Sequence, residues 1–318
     1  MAPEWERQHR MARDRAGFNR VNGRSLTALT GDDSRSFLHG MVVSDIQGAK
    51  PNSWTLSAML NSKGRMVSDL ALYNLPDRIL IETERDLQGT VETTLKRYAL
   101  RADLELRNQT EDWAMIDITG PDSAAVGPEP MQPGQVLSWE ILGGRTVLAR
   151  TDLPLQPTLR WLVPAGLEQA ALDHLRTAGL ERIDHAAATA LRMEAGIPVF
   201  GTDVGPDNLV LEVPAYRSGI SFDKGCYVGQ ETVARLHARG ENLARHLRGI
   251  LTDQEPEPGT ALEYRGKEVG SVSSTTWSPL AGKYLSLALV HRSATEDGTA
   301  VTIGPLTGEV TTLPIQDG

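Results

Sequence analysis

The segment DQEPEPGT at residues 253–260 limits what the chain can build around it. Proline removes a backbone donor and glycine loosens the backbone, so neither a helix nor a central strand runs through it. Beyond it, EVGSVSSTTW, YLSLALVH, AVTI and EVTTL are short β-rich runs punctuated by Gly266, Gly282, Gly298 and Gly308. That is the pattern of a small antiparallel barrel or sandwich. Before it, helical and strand periods are mixed. The boundary is expected within residues 242–258, dividing the chain into regions 1–242 and 243–318.

In the first region, residues 26–29 read as a strand ending at Gly31. Asp32 and Asp33 then offer an N-cap to a helix carrying Phe37, Leu38, Met41 and Val42. Residues 54–60 and 66–73 predict two strands around the turn NSKGR, and 79–82 a third. Leu87, Val91, Leu95 and Tyr98 fall four, four and three apart, which predicts a helix with one apolar stripe and puts the Tyr98 ring in the core. Lys96 and Arg97 occupy its last turn, the favourable end for cations. Pro121, Pro128, Pro130 and Pro133 leave room only for a short helix in 120–134. LRWLVP reads as a strand, GLEQAALDHLRTAG as a helix, and a further helix through LRMEAG stops at Gly196.

With 318 residues, 40% of them hydrophobic, the chain can bury a full core. A net charge of -9 argues against a surface that tracks nucleic acid along its whole length. The N-terminal MAPEWERQHRMARDR has no apolar h-region and no apolar run approaches membrane-spanning length, so a cytoplasmic protein is expected. The phosphate-loop, dinucleotide-binding, H-E-x-x-H and G-x-S-x-G motifs are all missing. A single cysteine rules out an intramolecular disulfide and a zinc site built from several thiolates, and no metal ligand set is assigned.

That cysteine, Cys226, lies in KGCYVGQE. Gly225 and Gly229 permit tight turns, and Glu231, Val233, Arg235 and Leu236 read as the helix that follows. A thiol ahead of a helix N-terminus and two residues from Lys224 is open to activation as a thiolate. The alternative is a small buried hydrophobe.

KGCYVGQE resembles the signature of the YgfZ family of folate-binding proteins, relatives of the glycine cleavage T-protein (aminomethyltransferase) that act in iron–sulfur protein maturation. TGDDSRSFLHGMVVSDI, NSKGRMVSDLALY, LKRYALRADLEL, RMEAGIPVFGTDV and GISFDKGCYVGQETVAR follow in the family's order, so the likeness covers residues 26–251. The resemblance implies an α+β, T-protein-like fold. Two subdomains would surround a central channel for tetrahydrofolate, with a small β-barrel at the C-terminus. It implies a folate-binding accessory factor for iron–sulfur cluster assembly or repair, including the clusters of radical enzymes that modify tRNA. Its partners would be folate and iron–sulfur proteins or their assembly factors, with neither DNA nor membrane among them. The resemblance implies a functional Cys226, expected near the folate channel with Lys224 as the neighbouring cation that activates it, in a motif completed by Gly225, Tyr227, Gly229, Gln230 and Glu231. The implied folate contacts are Asp69, Arg97, Tyr98 and Arg192.

Departures from the T-protein pattern bear on the activity. T-proteins carry a tandem acid where this chain has Ser68 and Asp69. Their folate-contacting acid falls at Arg160, and an arginine falls at Ala188. A cation cannot accept the N–H donors of a pterin, so a different or weaker binding mode is expected and aminomethyl transfer is not. The alternatives are a T-protein-type aminomethyltransferase and a non-catalytic adaptor for iron–sulfur proteins. Arg235, Arg239, Arg245 and Arg248, opposed only by Glu241, form a basic island. It reads either as a contact for an anion such as RNA or as a solvated helix and strand.

Overall fold

The computed structural model describes residues 3–151, 155–240 and 242–315. Its architecture follows from alternation along the strands, which sends successive side chains to opposite faces. Ser53–Leu60, Met66–Asn74, Ile79–Glu84, Arg24–Thr30 and Glu105–Asn108 form, in that order, an antiparallel five-stranded sheet. A second sheet runs Glu181–Arg182, Gly17–Arg20, Trp113–Thr119, Thr158–Pro164, Gly144–Arg150, Val136–Ile141. The strand Gly17–Arg20 therefore leaves its sequence neighbours to join residues a hundred positions further on.

Each sheet buries one face under helices. Leu29, Leu70, Leu72 and Ile81 pack against Leu38 of the helix Ser34–Met41 and Leu95 of the helix Gln88–Tyr98. On the second sheet, Ile116, Ile118 and Trp161 pack against Ala171 and Leu175 of the helix Glu168–Thr177. The opposite faces meet each other: Leu26, Ala71, Tyr73 and Leu80 of the first sheet share a core with Met115, Val147 and Leu162 of the second. Four layers result, helix, sheet, sheet, helix.

The helix Glu4–Asp14, whose charged sequence gave no stripe to read, docks on the helix His185–Glu194 through Ala12, Ala187 and Leu191. His9 Nε2 lies 2.6 Å from Glu194 Oε2, with both side chains buried. Glu194 also accepts from Ser278 Oγ at 2.6 Å, which ties this helix pair to the C-terminal region. There, Arg245–Thr252, Lys283–His291, Lys267–Ser278, Ala261–Tyr264, Ala300–Ile303 and Leu306–Thr311 close into a six-stranded barrel. No helix among the described residues is long and apolar enough to cross a membrane.

One turn is fixed by the absence of a side chain. A Cβ at Gly219, at the end of Pro214–Gly219, would stand 1.8 Å from the carbonyl oxygen of Leu56. Gly219→Ala should therefore destabilise the fold by about 1–3 kcal/mol through overpacking. Gly89→Ala, in a helix with open space around it, should stabilise by roughly 0.5–1 kcal/mol. Denaturant unfolding of the two variants checks both signs.

Candidate functional site

Between the two sheets the apolar interlayer gives way at one end to charge, and a cavity of about 360 Å³ opens there. Strand alternation explains which residues reach it. Trp54 and Leu56, then Asp69, Ala71 and Tyr73, then Glu82 and Glu84 lie two apart on their strands and line it from the first sheet. Asp117 and Arg160, partners in register, line it from the second. Ala188, Leu191 and Arg192 of the helix His185–Glu194 supply a third wall.

The charged end is a continuous network. Arg24 donates from Nε to Glu82 Oε1 at 2.9 Å, and from NH1 to Glu84 Oε1 at 2.6 Å and Asp69 Oδ2 at 3.3 Å. Arg160 donates to the same Glu82 Oε1 and holds Asp117 through two nitrogens. Tyr73 donates its hydroxyl to Glu82 Oε2 at 2.5 Å. Burial raises the carboxyl pKa of Glu82, but Arg160 and Arg24 outweigh it and hold the group down at about 2. Burial likewise disfavours charge on Arg24, and Asp69, Glu82 and Glu84 more than restore it.

Three buried polar atoms on the cavity wall have no partner: Asp69 Oδ1, the indole nitrogen of Trp54 and the hydroxyl of Tyr216. Native interiors rarely leave such groups unpaired, and these three belong to residues of one cavity wall. An acceptor, a donor and a hydroxyl beside the apolar Leu56 and Leu191 suit a flat, polar-edged heterocycle. Ser68 follows the opposite alternation and bonds Thr83 Oγ1 at 2.5 Å, away from the cavity. A second acid at that position would not have faced the cavity.

The cysteine motif forms a different assembly. Lys224 is clamped by carbonyls at the end of the helix Ser34–Met41: its Nζ donates to His39 O, to Val42 O at 2.7 Å and to Ser44 O at 2.7 Å. Its ammonium also lies 4.8 Å from the Tyr227 ring centre. Burial lowers its pKa to about 8. Gly229, in a left-handed conformation at φ 82°, presses on the turn NSKGR, where a Cβ would meet Asn61 O at 2.5 Å. Gln230 opens the helix Gln230–Ala238 and accepts from Tyr227 N through Oε1 at 3.1 Å. Glu231 is exposed in its first turn. Cys226 itself is exposed, so the small buried hydrophobe is the wrong alternative for it. The imidazole of His39 abuts Gly225, with Nε2 3.8 Å from where a Cβ would stand. Burial and the Lys224 charge push His39 below its ordinary range.

Of the implied folate contacts, Asp69 and Arg192 line the cavity, Arg192 with one nitrogen committed to Ile197 O and Asp203. Arg97 and Tyr98 do not line it. Arg97 is exposed, and Tyr98, expected in the core, is 52% exposed. It is the last residue of its helix, one turn past Leu95, the last buried position. None of residues 224–231 lines the cavity, so Cys226, expected near the channel, stands apart from it in an exposed loop. The basic island divides: Arg245 pairs with Glu212 at 3.5 Å and Arg248 donates to Thr295 O, while Arg235 and Arg239 stay exposed. Glu241 lies outside the described residues. Arg24, Glu82, Glu84 and Asp117 also line the cavity and belong to no motif. Their one signal is charge on the inward parity of otherwise apolar strands.

A four-layer sandwich with a polar interlayer cavity and an appended barrel has counterparts among known proteins. The GCVT N-terminal domain matches residues 1–130, and the glycine cleavage T-protein C-terminal barrel domain matches residues 245–316. Both domains of the glycine cleavage T-protein thus find a match in this chain. The chain is similar to relatives of three names. The aminomethyltransferase of Desulfitobacterium hafniense is 24% identical over 93% of this chain and 84% of its own. The tRNA-modifying protein YgfZ of Yersinia enterocolitica is 29% identical over 82% of this chain and 78% of its own. The mitochondrial iron–sulfur cluster assembly factor IBA57 homolog of Aspergillus oryzae is 30% identical over 71% and 55%. The resemblance to the YgfZ group read from KGCYVGQE is thus borne out. Aminomethyltransferase T of the glycine cleavage system from Bartonella henselae superposes with a TM-score of 0.86 at 20% identity, covering 98% of this chain and 90% of its own, and shares the fold.

The network sets two expectations. Because the Glu82 pKa is held below its ordinary 4.5, its contribution to stability is complete above that pH and is lost as pH falls towards about 2. Glu82→Gln should cost roughly 3–5 kcal/mol at pH 7 by leaving two buried arginines short of a partner. It should also flatten the acid limb of a stability-against-pH curve. Lys224→Met should cost about 1–3 kcal/mol by stripping three carbonyls of a charged donor, measured by denaturant unfolding at pH 7.

Proposed function

We propose that this chain is a folate-binding accessory factor that supports assembly or repair of iron–sulfur clusters, including those of tRNA-modifying enzymes, in the manner named for its YgfZ and IBA57 relatives. The observation that carries the ligand is the buried, unpartnered Asp69 Oδ1 at the polar end of the cavity. The 2-amino-4-oxo edge of a pterin presents N–H donors to an acceptor of this kind, and its carbonyl is an acceptor suited to the Trp54 indole. Asp69, Trp54 and Tyr216 would hold the ring, and Arg192 would border the rest of the molecule. Tetrahydrofolate supplies a reduced pterin able to carry a one-carbon group.

Arg160 does not present a loose cation to that ring, since Glu82 and Asp117 absorb its charge. The cavity therefore remains compatible with folate despite the acid that T-proteins have there. Aminomethyl transfer is not favoured, because Arg160 and Ala188 stand where the T-protein pattern has an acid and an arginine. Cys226 is proposed to act at the surface, exposed to a partner protein and held by the Lys224 clamp. Lys224, tied to three carbonyls, reads as the anchor of that loop. A cytoplasmic setting, with iron–sulfur proteins or their assembly factors as partners, belongs to the same proposal.

Titration with tetrahydrofolate should quench the fluorescence of Trp54 saturably, and Asp69→Asn should weaken binding on the order of tenfold or more. No saturable change in the unaltered protein would remove folate from the account. In cells lacking the native protein, Cys226→Ser should leave folate binding intact while iron–sulfur enzyme activity falls. Undiminished activity would remove the thiol from the mechanism.

A further inference from the structure

Among the described residues no barrel strand lines the cavity, yet one acid joins the two. Asp203 follows the helix His185–Glu194, and its carboxylate is fully buried. Oδ2 accepts from the backbone nitrogen of Val199 at 2.8 Å and stands 3.4 Å from NH1 of Arg192. Oδ1 accepts from Ser274 Oγ of the barrel strand Lys267–Ser278, and Ser273 Oγ lies 2.9 Å from the same oxygen. Neighbours on a regular strand point to opposite faces. Here Val272 pairs with Ala288 and Ser274 with Leu287, so Ser273 is the extra residue of a bulge, a device that re-aims side chains and lets both hydroxyls reach one acid. Arg192, on the cavity wall, keeps donors to spare. Its hydrogen bonds leave from NH1, to Ile197 O and to Asp203, while Nε and NH2 have no partner among the described residues. Burial pushes the Arg192 pKa below its ordinary value, and Asp203 is the first of the acids that oppose this.

We propose that Asp203 is a positioning residue through which the barrel holds the Arg192 guanidinium in one orientation on the cavity wall, ready for an acceptor group of the ligand. The inference rests on the folate reading and deepens it: the barrel takes part in ligand binding although none of its described residues lines the cavity. The bulged strand fixes the acid, and the acid together with Ile197 O fixes NH1. Both hydrogens of NH1 lie in the plane of the guanidinium, so two acceptors on that nitrogen orient the whole fork. The uncommitted Nε and NH2 then meet a carbonyl or carboxylate of the folate side chain. If Asp203 served only to fasten the barrel to the helix, its loss would lower stability, and any loss of affinity would be the same with Arg192 present or absent.

A double-mutant cycle separates the two, with tetrahydrofolate titrated by calorimetry against the full chain. Arg192→Ala and Asp203→Asn should each weaken binding on the order of tenfold, and Ser274→Ala, which removes one barrel donor from the acid, should weaken it by less. The pair Asp203→Asn with Arg192→Ala should bind to within about twofold of Arg192→Ala alone, because an acid that acts through the guanidinium has nothing left to act on. If Asp203→Asn does not fold, Ser274→Ala with and without Arg192→Ala carries the test. Binding by folded Asp203→Asn, or by Ser274→Ala standing in for it, as tight as that of the unaltered protein would overturn the positioning role while leaving folate binding in place. So would an equal weakening in the Arg192→Ala background, or an Arg192→Ala variant that binds like the unaltered protein. Failure of the unaltered protein to bind tetrahydrofolate would overturn this inference and the folate reading together.

Discussion

Glu82 is the charge on which the rest of the site depends. It sits at the charged end of the interlayer, accepting from Arg24 of its own sheet and Arg160 of the opposite one. Buried ions cost several kcal/mol each to desolvate, and a pair repays this only when its hydrogen bonds are complete. Completeness here needs both sheets at one separation and one register. The network is therefore better understood as a device that fixes where the sheets stand than as a source of net stability. With the other oxygens satisfied or at the rim, it leaves one buried acceptor without a partner, Oδ1 of Asp69, on a residue that lines the cavity.

The cysteine motif is built on the same scaffold from a different side. Gly219 presses on Leu56 O and Gly229 on Asn61 O, so the segment running from the Pro214–Gly219 turn to the cysteine loop lies along the strand Ser53–Leu60. Trp54 and Leu56 of that strand line the cavity. Lys224 then fastens the loop to the end of the helix Ser34–Met41, which packs on the same sheet. The folate reading and the thiol reading thus concern two places that adjoin one strand, one enclosed and one exposed.

Much of this was legible locally. The strands around NSKGR, the helix ending at Gly196 and the β-rich region beyond DQEPEPGT follow from period and punctuation, and the structure bears them out, extended by a few residues. What escaped was set by distant partners. The strand Gly17–Arg20 has no pattern of its own and exists because Trp113–Thr119 offers it an edge. The stripe that placed Tyr98 in the core is real at Val91 and Leu95, but at the last residue of a helix a stripe cannot say whether anything covers it. ILIETE reads as an apolar strand with two carboxylates, and only the opposing sheet reveals that Glu82 meets Arg160 across the interlayer. Arg160 looked like a cation in the way of a ligand for the same reason, since the sequence does not display the acids that absorb it.

The central claim, that one open carboxylate oxygen in a closed ionic network defines a pterin site, is tested most directly by an experimental structure of the chain with tetrahydrofolate. The account predicts the pterin between the two sheets with an N–H donor on Asp69 Oδ1 and the Arg24, Glu82, Arg160 and Asp117 contacts unchanged. A pterin bound elsewhere, or one seated in the cavity with Asp69 Oδ1 still without a donor, would contradict it.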